Sequence, residues 1–343
     1  MEDSNRSFVR MEELLDKSGM QIACLVGAEA ARVTPGASAA LAVGIGACMT
    51  GMDSTKWEQL PHTSDIKNEV IIQRRHRYRY DRCAELAGAR LIEVGDDAGT
   101  TVEQIAAAVH SRTAAILFPA HLDATEGTVR MTEVVAFARS KGVPTFVDAA
   151  FLCYPTELML SFISSGADLV CFSAKYFGGP NAGGFICGRK DLMEVVSHTD
   201  FTAFELGQYR TFGRQFKVDR HTIVAVLAAL QDWMAADHNA RLEIYARRIE
   251  SMMQRIGPIP GIVQKPVCFA MGERLVPTPV NCLAISFEAA AGKDAQEIST
   301  YLAAGNPSIA TVVLDQVLVV AVEMLIAGEE LIVADRLKAA LQR

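Results

Sequence analysis

The sequence predicts an α/β fold in which a mostly parallel sheet lies between two layers of helices. From about residue 90, short apolar runs alternate with segments whose apolar residues have helical spacing. The apolar runs lack the alternation of a half-exposed strand; they are "RLIEVG", "AAILFPA", "VPTFVDAA", "ADLVCFS" and "GGFICG". Continuously apolar strands separated by helices are typical of a parallel sheet that is buried on both faces.

Residue signals at helix ends support the helices between these strands. Thr101 and Gln104 form an expected capping box at the start of "VEQIAAAVHS". Thr132 is the expected N-cap of "TEVVAFARSKG", and Gly142 ends that helix. Helical spacing then continues over residues 220–257, which predicts one long helix that leads out of the first domain.

Mixed strand and helix patterns follow the long helix and predict a second, smaller domain. The apolar runs there are "GIVQKPVCFAM", "NCLAISF" and "VVLDQVLVVAV", with helical patterns between and after them. We therefore expect an N-terminal helical segment over residues 1–20, a large domain over residues 21–235 and a small C-terminal α+β domain over residues 236–343.

Composition excludes several classes of protein. Half of the residues are hydrophobic and the formal net charge is -7, which indicates a folded globular protein and argues against a nucleic-acid binder. The charged N-terminus lacks the apolar core of a signal peptide, and the longest apolar stretches are short for a membrane span. The 8 cysteines are scattered without a CxxC pair, so we expect reduced thiols in a cytoplasmic protein and no metal site.

Two charged residues follow buried strands in equivalent places. Asp148 comes after "VPTFV", and Lys175 comes after the next strand, "ADLVCFS". Ligands bind beyond the carboxyl ends of parallel strands, so Asp148 and Lys175 are expected to line one crevice, together with residues 119–123 and Ser173. A buried acid needs a cation or hydrogen-bond donors, so a plain salt bridge between Asp148 and Lys175 is the alternative to a functional site.

A third element resembles a phosphate cradle. Thr34, Pro35, Gly36 and Ser38 precede a long apolar helix, whose first N–H groups and dipole would favour an anion. Taken alone, this is also the pattern of an ordinary capped helix. Combined with a strand-end aspartate and lysine, it meets the needs of pyridoxal phosphate: an amine for a Schiff base, a carboxylate for the protonated pyridine nitrogen and a helix N-terminus for the phosphate. Ser173 offers a hydroxyl to the same phosphate.

Two further positions are candidates for contacts with the cofactor or the substrate. His76 follows the strand-like run "EVIIQ" and is expected to lie flat on the cofactor ring. The alternative is a surface histidine in the basic patch "QRRHRYRYDR", whose arginines are either solvated or bind an anionic group. His121 and Asp123, in "PAHLDATEG", are candidates for contacts with ring or substrate, and a polar surface loop is the alternative there.

At these residues the chain resembles the fold-type I pyridoxal phosphate enzymes, which include aminotransferase class V-like proteins. More narrowly, it is similar to the family related to bacterial selenocysteine synthase (L-seryl-tRNA selenium transferase). The similar stretches are "LVGAEAARVTPGASAALAVGIGACMTG", "GADLVCFSAKYFGGPNAGGFICGRKDL" and "FGRQFKVDRHTIVAVLAAL". The resemblance implies a homodimer or larger homo-oligomer with the active site at the subunit interface.

The resemblance also implies a role for each site residue. Lys175 would be the Schiff-base lysine, Asp148 the partner of the pyridine nitrogen and His76 the ring-stacking residue. The residues implied to hold phosphate are Gly36, Ala37, Ser38 and Ser173, with Gly179 near the phosphate of a neighbouring subunit. The pair implied to face the site is Arg214 and Lys217, in "GRQFK".

Several departures from the family pattern matter. Relatives carry glutamine or histidine just after the aspartate, where this chain has Ala149 and Ala150, and an arginine after a "PxI" motif, where it has Ala310. The substrate carboxylate is then expected at Arg214 or at an arginine near His76. Relatives also begin with a further segment that reaches the active site, and this chain starts downstream of it. These departures favour the alternative from another class, a non-catalytic descendant of the fold.

The sequence thus predicts a pyridoxal phosphate enzyme that acts on a small amino-acid-like substrate. Abstraction of the α-proton followed by elimination or group replacement is the expected chemistry, and transamination or aldol-type cleavage is the alternative. Selenocysteine synthase has an additional tRNA-binding domain, and this acidic chain lacks it, so tRNA is not expected as a substrate. The retained lysine, taken to be buried at a cost in free energy, favours an enzyme over a non-catalytic descendant.

Overall fold

The computed structural model describes residues 3–270 and 274–343, which divide into two compact units. The first unit ends at Ala235 and the second is Ala236–Arg343. Residues before position 21 belong to the first unit. Every residue proposed for the site lies in this first unit, so its architecture is the one that positions the chemistry.

A single large sheet organises the first unit. Its strands are β1 (Ala30–Thr34), β2 (Glu69–Gln73), β3 (Arg90–Val94), β4 (Thr113–Pro119), β5 (Thr145–Asp148), β6 (Leu169–Ser173) and β7 (Gly184–Gly188). Within the described residues, these 7 strands have the order β1-β7-β6-β5-β4-β2-β3. Strand β7 runs antiparallel to both of its neighbours, and the other pairs are parallel. Six strand ends therefore share one carboxyl edge.

Helices cover both faces of this sheet, as the continuously apolar strands predict. One apolar cluster joins the sheet to α1 (Met11–Val26), α4 (Val102–Ala108), α5 (Met131–Lys141), α6 (Thr156–Ser164) and α9 (Arg220–Ala235). A second cluster, on the other face, includes α2 (Ala37–Thr50), α3 (Ser54–Gln59) and α7 (Lys190–Thr199). A short helix, α8 (Phe201–Glu205), follows α7. The predicted α/β fold is confirmed.

Helix α2 lies against the sheet so closely that small residues are required along it. Its residues from Ala39 to Thr50 are all buried. A Cβ atom at Gly44 would stand 2.5 Å from a ring carbon of Phe146 and 2.7 Å from a methyl group of Ile186, far inside normal contact. The alanine- and glycine-rich sequence of α2 therefore lets its N-terminus reach the carboxyl edge of the sheet.

Some predicted helix ends are confirmed and others are wrong. The capping box of Thr101 and Gln104 is present, and Gly142 ends α5 in a left-handed conformation. Thr132 is not the N-cap of α5, because the helix already begins at Met131. The single long helix over residues 220–257 is also wrong. It is interrupted between α9 and α10 (His238–Ile256), because the side chain of Asp237 accepts from the Ala240 N–H and starts a second helix.

The second unit is built on an antiparallel sheet. Its described strands are β8 (Ile262–Ala270), β9 (Arg274–Val276), β10 (Cys282–Phe287), β11 (Val312–Leu314) and β12 (Val317–Ala321), in the order β11-β12-β10-β8-β9. Helices α10, α11 (Ala295–Ala303) and α12 (Glu329–Leu341) pack with this sheet around one apolar cluster. Residue 271, at the end of one predicted strand, lies outside the described residues.

Cysteine pairing, membrane helices and metal clusters were each predicted to be absent. All 8 cysteines lie in the described part of the chain, and none is in a disulfide. No helix among the described residues is long and apolar enough to cross a membrane. Across residues 3–270 and 274–343, no cluster of histidine, cysteine and acidic side chains has the geometry to hold a metal ion.

Candidate active site

The candidate site lies at the carboxyl edge of the large sheet. The register pairs Pro119, at the end of β4, with Asp148, at the end of β5. It also pairs Asp148 with Cys171 on β6, so Ser173 stands two residues further along the neighbouring strand. The strand ends that the sequence singles out therefore lie side by side in the structure.

Asp148 is a buried carboxylate that accepts hydrogen bonds from neutral donors. Oδ2 accepts from the hydroxyl of Tyr78, and Oδ1 accepts from the Ala150 N–H at 3.0 Å and the Cys171 thiol at 3.5 Å. Burial, followed by the charge of Asp148 and the hydrogen bond to it, raises the pKa of Tyr78 far above its usual value. No ion pair to Asp148 occurs among the described residues, so the direct salt bridge to Lys175, which was the alternative to a functional site, is absent there.

A line of aromatic rings joins Asp148 to Lys175. Tyr78, which donates to Asp148, has its ring centroid 5.4 Å from that of His121, and His121 lies 5.1 Å from Phe151. The line continues from Phe151 to Tyr176 at 5.9 Å, and the ammonium of Lys175 stands 4.9 Å from the Tyr176 ring centroid. We call these four rings the aromatic line: Tyr78, His121, Phe151 and Tyr176. It places the two predicted charged residues at the ends of one continuous surface.

Lys175 is exposed, which corrects the expectation of a buried lysine. Strand β6 ends at Ser173, and the chain then turns through a short 3-10 helix, Ala174–Phe177. The Ala174 N–H donates to Gly183 O at 2.9 Å, and its carbonyl accepts from Gly179 at 2.8 Å. These bonds fix the turn and direct Lys175 away from the core. The ammonium therefore has no desolvation cost. The argument that only an enzyme would retain a lysine buried at a cost in free energy does not apply to Lys175.

The turn over residues 34–36, directly before α2, has the properties that an anion requires, and we call it the cradle turn. Gly36 has φ 98° and ψ 168°, and no side chain of the described residues caps α2. A Cβ at Gly36 would have no described atom within 4 Å beyond its chain neighbours, so the space above the turn is open with respect to this part of the chain. The first N–H groups of α2, at Ala37 and Ser38, are free of helical partners by their position. They point their dipoles at the same open space.

The sheet register brings the cradle turn close to Ser173. Gly184 on β7 pairs with Thr34 on one side and with Ser173 on the other. The ends of β1 and β6 thus lie two strand spacings apart, about 10 Å. A Cβ at Gly184 would come within 3.0 Å of Gly36, so only glycine allows the cradle turn to sit against β7. The backbone thereby brings Gly36 and Ser173 to one region.

His76 differs from the expectation of an available stacking ring. Its side chain is fully buried, edge-on to Phe118 with ring centroids 4.9 Å apart. Nδ1 lies 3.3 Å from Gln73 Nε2, and Nε2 lies 3.1 Å from Thr128 Oγ1. Both contacts are satisfied by a neutral imidazole that carries its proton on Nε2. Burial lowers the pKa of His76 to about 4. Stacking by His76 stays a prediction, and in this structure no face of its ring is exposed.

Among the four residues predicted for the substrate, His121 is linked to Asp148 through a shared neighbour, Tyr78. Its ring belongs to the aromatic line, and burial lowers its pKa while the charge of Asp148 opposes that shift. Asp123 instead accepts from the Met131 N–H at 2.6 Å and pairs with Arg130, which ties the loop to α5. Its contacts are those of a structural residue.

The remaining predicted residues have other contacts. Arg214 and Lys217 both pair with Glu205, at 2.8 Å and 3.5 Å, on an exposed surface. Gly179 packs closely against Ala174 and Ala229, where a Cβ would stand 2.8 Å and 3.3 Å from their methyl groups. Its small size is explained by packing, and its role toward a phosphate stays a prediction.

Sequence reasoning missed three residues of the aromatic line: Tyr78, Phe151 and Tyr176. Each follows a strand that the sequence did identify, and Tyr176 is adjacent to Lys175. The sequence pattern that could have identified them is an aromatic residue within a few positions of each buried strand end. That pattern does not show that Tyr78 contacts Asp148 across 70 residues of chain.

Comparison with known proteins identifies the family of this chain. The model of the SelA family, L-seryl-tRNA selenium transferase, matches residues 76–256, which is more than half of the chain. The chain belongs to the L-seryl-tRNA selenium transferase family. With this family and fold it is a pyridoxal phosphate-dependent enzyme, as predicted from Lys175, Asp148 and the cradle turn.

Two curated relatives and one solved structure show what this family member is similar to. A 5'-C-glycyluridine monooxygenase-decarboxylase of Streptomyces sp is 31% identical over 317 residues, covering 90% of this chain and 75% of that protein. A D-glucosaminate-6-phosphate ammonia lyase of Salmonella typhimurium is 28% identical over 262 residues, covering 75% of this chain and 66% of that protein. A solved D-glucosaminate-6-phosphate ammonia-lyase has a TM-score of 0.85 and 24% identity, covering 99% of this chain and 89% of that chain.

The residues of the site fit pyridoxal phosphate. The cradle turn offers open space and uncapped N–H groups for a phosphate. Asp148 offers a buried carboxylate without a charged partner among the described residues, as a cationic pyridine nitrogen requires. Lys175 offers an exposed primary amine at the other end of the aromatic line. Together these groups match the three attachment needs of the cofactor.

Proposed function

We propose that this chain catalyses elimination or group replacement on a small amino-acid-like substrate, with pyridoxal phosphate held at the carboxyl edge of the large sheet. The observation that carries this proposal is the aromatic line, because it connects an exposed amine at Lys175 to a buried carboxylate at Asp148. Neither residue alone distinguishes a cofactor site from an ordinary polar surface.

Each site residue has a defined role in this proposal. Pyridoxal phosphate supplies an electron-withdrawing ring that takes up the electrons of a bond broken at the substrate α-carbon. Asp148 would hold the ring nitrogen and favour its cationic form. Lys175 would hold the cofactor through its amine, and the same amine would move the proton at the substrate α-carbon. The N–H groups of Ala37 and Ser38 and the hydroxyl of Ser173 would hold the phosphate.

The aromatic line also limits the shape of the substrate. Tyr78, His121, Phe151 and Tyr176 present ring faces and edges, and His121 adds a neutral nitrogen because burial lowers its pKa. Such a surface accepts a flat ring and the apolar part of a small molecule. A tRNA substrate is not supported, because the chain has a formal net charge of -7.

The relatives favour two bond-breaking steps. The name of the D-glucosaminate-6-phosphate ammonia lyase describes loss of ammonia, which agrees with elimination. The name of the 5'-C-glycyluridine monooxygenase-decarboxylase describes oxidation with loss of a carboxyl group, and this relative covers 90% of the chain. Oxidative decarboxylation of an amino acid is therefore the second candidate reaction. Both candidates act on an amine-bearing carbon and use the same Lys175 and Asp148.

Cofactor attachment is tested first. The purified chain, mixed with pyridoxal phosphate, should absorb in the visible range and form an adduct that borohydride reduces at Lys175, located by peptide mapping. Lys175→Ala should abolish the reducible adduct. Lys141→Ala is the matched control, because Lys141 is also an exposed lysine beside an aromatic ring, 6.0 Å from the centroid of Phe137. A wild-type chain that takes up no cofactor would refute the proposal.

The reaction is tested with a panel of amino acids that includes phosphorylated amino-sugar acids and nucleoside-linked glycines. Ammonia, keto acid, carbon dioxide and oxygen uptake are measured in parallel. Ammonia with keto acid and no oxygen uptake supports elimination. Carbon dioxide with stoichiometric oxygen uptake supports the second candidate. Formation of a new amino acid only when a keto-acid acceptor is added would contradict both.

The proposal extends to assembly and location. A homodimer or larger homo-oligomer is part of it, and analytical ultracentrifugation of the purified chain tests this part. The exposed apolar side chains of Phe8, Val9 and Met20 on the first unit support burial against a second copy. The 8 unpaired cysteines support a cytoplasmic location, since thiols persist in a reducing compartment.

A further inference from the structure

The acceptor sites of Asp148 are nearly all filled. A carboxylate has two oxygens with about four lone-pair sites in total. Oδ1 accepts from the Ala150 N–H and from the Cys171 thiol, which fills both of its sites. Oδ2 accepts from the Tyr78 hydroxyl and, within the described residues, from no other donor. One acceptor site of the carboxylate therefore remains, and it belongs to the oxygen that Tyr78 holds.

Tyr78 is itself held in place from both ends. Its backbone N–H donates to the buried Asp81 at 3.1 Å, and Asp81 is anchored by an ion pair with Arg77. Its ring lies against His121, with centroids 5.4 Å apart. The hydroxyl is thus presented to Asp148 by a fixed backbone and a packed ring. The contact is not an accidental meeting of two mobile side chains.

The hydroxyl of Tyr78 is a permanent donor. Burial and the charge of Asp148 raise the pKa of Tyr78 far above its usual value, so the phenol stays protonated at every pH at which a protein of this kind works. A donor of this kind restricts rotation of the Asp148 carboxyl group, because any rotation breaks a buried hydrogen bond.

We propose that Tyr78 is a positioning residue for the cofactor: its hydroxyl holds Oδ2 of Asp148 so that the last acceptor site of the carboxylate faces the pyridine nitrogen. This inference rests on the proposed role of Asp148. Tyr78 shares Oδ2 with the ring nitrogen and does not compete with it. Removing the hydroxyl leaves the carboxylate free to turn, and the bond to the ring nitrogen weakens.

The test compares three versions of the chain: wild type, Tyr78→Phe and Tyr80→Phe. Tyr80 is the matched control, since its ring lies beside that of Tyr78, with centroids 6.3 Å apart, but outside the aromatic line, and its hydroxyl donates to no acceptor in the described part of the chain. Each cofactor-free protein is titrated with pyridoxal phosphate, and Kd is measured by tryptophan fluorescence and visible absorbance. The pH midpoint of the visible absorbance is measured in parallel.

We expect Tyr78→Phe to raise Kd about tenfold, as the loss of one charge-assisted hydrogen bond predicts. The pH midpoint should also move upward by about half a unit or more, because a ring nitrogen bound less firmly as a cation withdraws less charge. Tyr80→Phe should change neither quantity. If Tyr78→Phe does not fold, Tyr78→Met is judged by the same two criteria, since methionine fills irregular space without a hydroxyl.

Three outcomes overturn the inference. An unchanged Kd shows that the hydroxyl does not position Asp148, and a lower Kd shows that Tyr78 competes with the cofactor. A higher Kd with an unmoved pH midpoint is the result of a merely structural role. These outcomes differ from failure of the proposed function, in which the wild-type chain binds no pyridoxal phosphate at all.

Discussion

The two edges of the large sheet surround an aspartate in opposite ways: Asp168 is partly buried at the amino edge, and Asp148 is buried at the carboxyl edge. At the amino edge, Asp168 precedes β6 and accepts from Arg189 at 2.9 Å and from the N–H and hydroxyl of Thr145 at 2.8 Å and 2.9 Å. At the carboxyl edge, Asp148 accepts from neutral donors and, within the described residues, from no cation. Asp168 is neutralised by Arg189 of the same chain, whereas Asp148 is left with a negative charge that a bound cation can balance.

Cavity size does not support the proposed site, because a large cavity lies at the opposite edge of the sheet. A cavity of about 540 Å³ opens at the amino edge, between the ends of several helices. Its charged groups are engaged by the chain: Glu29 accepts from the Lys190 N–H at 2.8 Å, and Arg139 donates to Gly166 O at 3.2 Å. The proposed site is instead marked by an unbalanced charge beside an exposed amine, whereas cavity volume points to the opposite edge.

The largest effect is expected where a carboxylate depends on a cation from the chain. Arg32 is buried and pairs with Asp200, and it also contacts Asp16 at 2.6 Å. Arg32→Met should lower the free energy of unfolding by about 3–5 kcal/mol, because it leaves Asp200 buried without its partner. Urea denaturation followed by circular dichroism measures the change. Arg189→Met, which removes a half-exposed partner from Asp168, should cost about 1 kcal/mol or less. Equal losses of unfolding free energy in the two variants would contradict the view that a buried ion pair contributes more to stability than a half-exposed one.

A second prediction concerns pH and the buried His76. The pKa of His76 in the folded chain is about 4, against an ordinary value of 6.5. The unfolded chain therefore takes up the proton first as pH falls. Stability from this residue is complete above about pH 6.5, decreases toward pH 4 by up to about 3 kcal/mol and then levels off. Asp123 opposes this shift, whereas His121 and Arg75 add to it.

Urea midpoints of wild type and His76→Gln at pH 7 and pH 5 measure this dependence. The glutamine variant should lose less stability than wild type between the two pH values, because only the imidazole titrates in that range at this position. An equal loss in both proteins would mean that His76 is already charged or exposed in the folded chain. That result would revive a stacking role for its ring.

A third prediction compares the two aspartates directly. Asp148→Asn should raise the Kd for pyridoxal phosphate about a hundredfold, since an amide cannot replace a carboxylate as partner of a cationic nitrogen. Asp168→Asn, at the amino edge, should leave that Kd within about twofold of wild type while lowering stability. Fluorescence titration gives Kd, and urea denaturation gives stability. If Asp168→Asn weakened cofactor binding as much, the site would not be confined to the carboxyl edge.

The smallest effect is expected at a pair of glycines with left-handed backbone. Gly36 has φ 98° at the cradle turn, and Gly142 has φ 65° at the end of α5. A Cβ at either position would meet nothing within 4 Å, so alanine should cost each protein about 1 kcal/mol through backbone strain alone. Only Gly36→Ala should also weaken cofactor binding, severalfold in Kd, because it places a methyl group beside the phosphate. Similar Kd values for both variants would remove Gly36 from the site.

Much of the fold could be predicted because it depends on local patterns. The strands of the large sheet are continuous apolar runs, and Gly142 ends a helix in the conformation that glycine adopts most readily. The break between α9 and α10 was missed because apolar spacing continues across it, although Asp237 carries an N-cap signal. Periodicity reports which side of a helix is buried, and it does not report where one helix ends and the next begins.

The site could be predicted only in part. Asp148 and Lys175 were found because each follows a buried strand, and topology brings strand ends together. The exposure of Lys175 depends on the 3-10 turn after β6, which the sequence does not indicate. The contact between Tyr78 and Asp148 joins residues 70 positions apart, and it depends on the turn after β2. Such contacts follow from loop geometry, which a single sequence encodes weakly.

The antiparallel direction of β7 has a consequence for how this enzyme can diversify. Strand β6 ends at the carboxyl edge and β7 begins there, so residues 174–183 leave and re-enter the sheet on the side of the site. The other connections between successive strands of the described sheet cross to the opposite edge. The exposed positions of residues 174–183 can therefore change without altering a crossover between strands, whereas Phe177 and Gly179 are constrained because they pack against the core and against α9. Evolution can alter reactivity around Lys175 as a separate module while the scaffold stays constant.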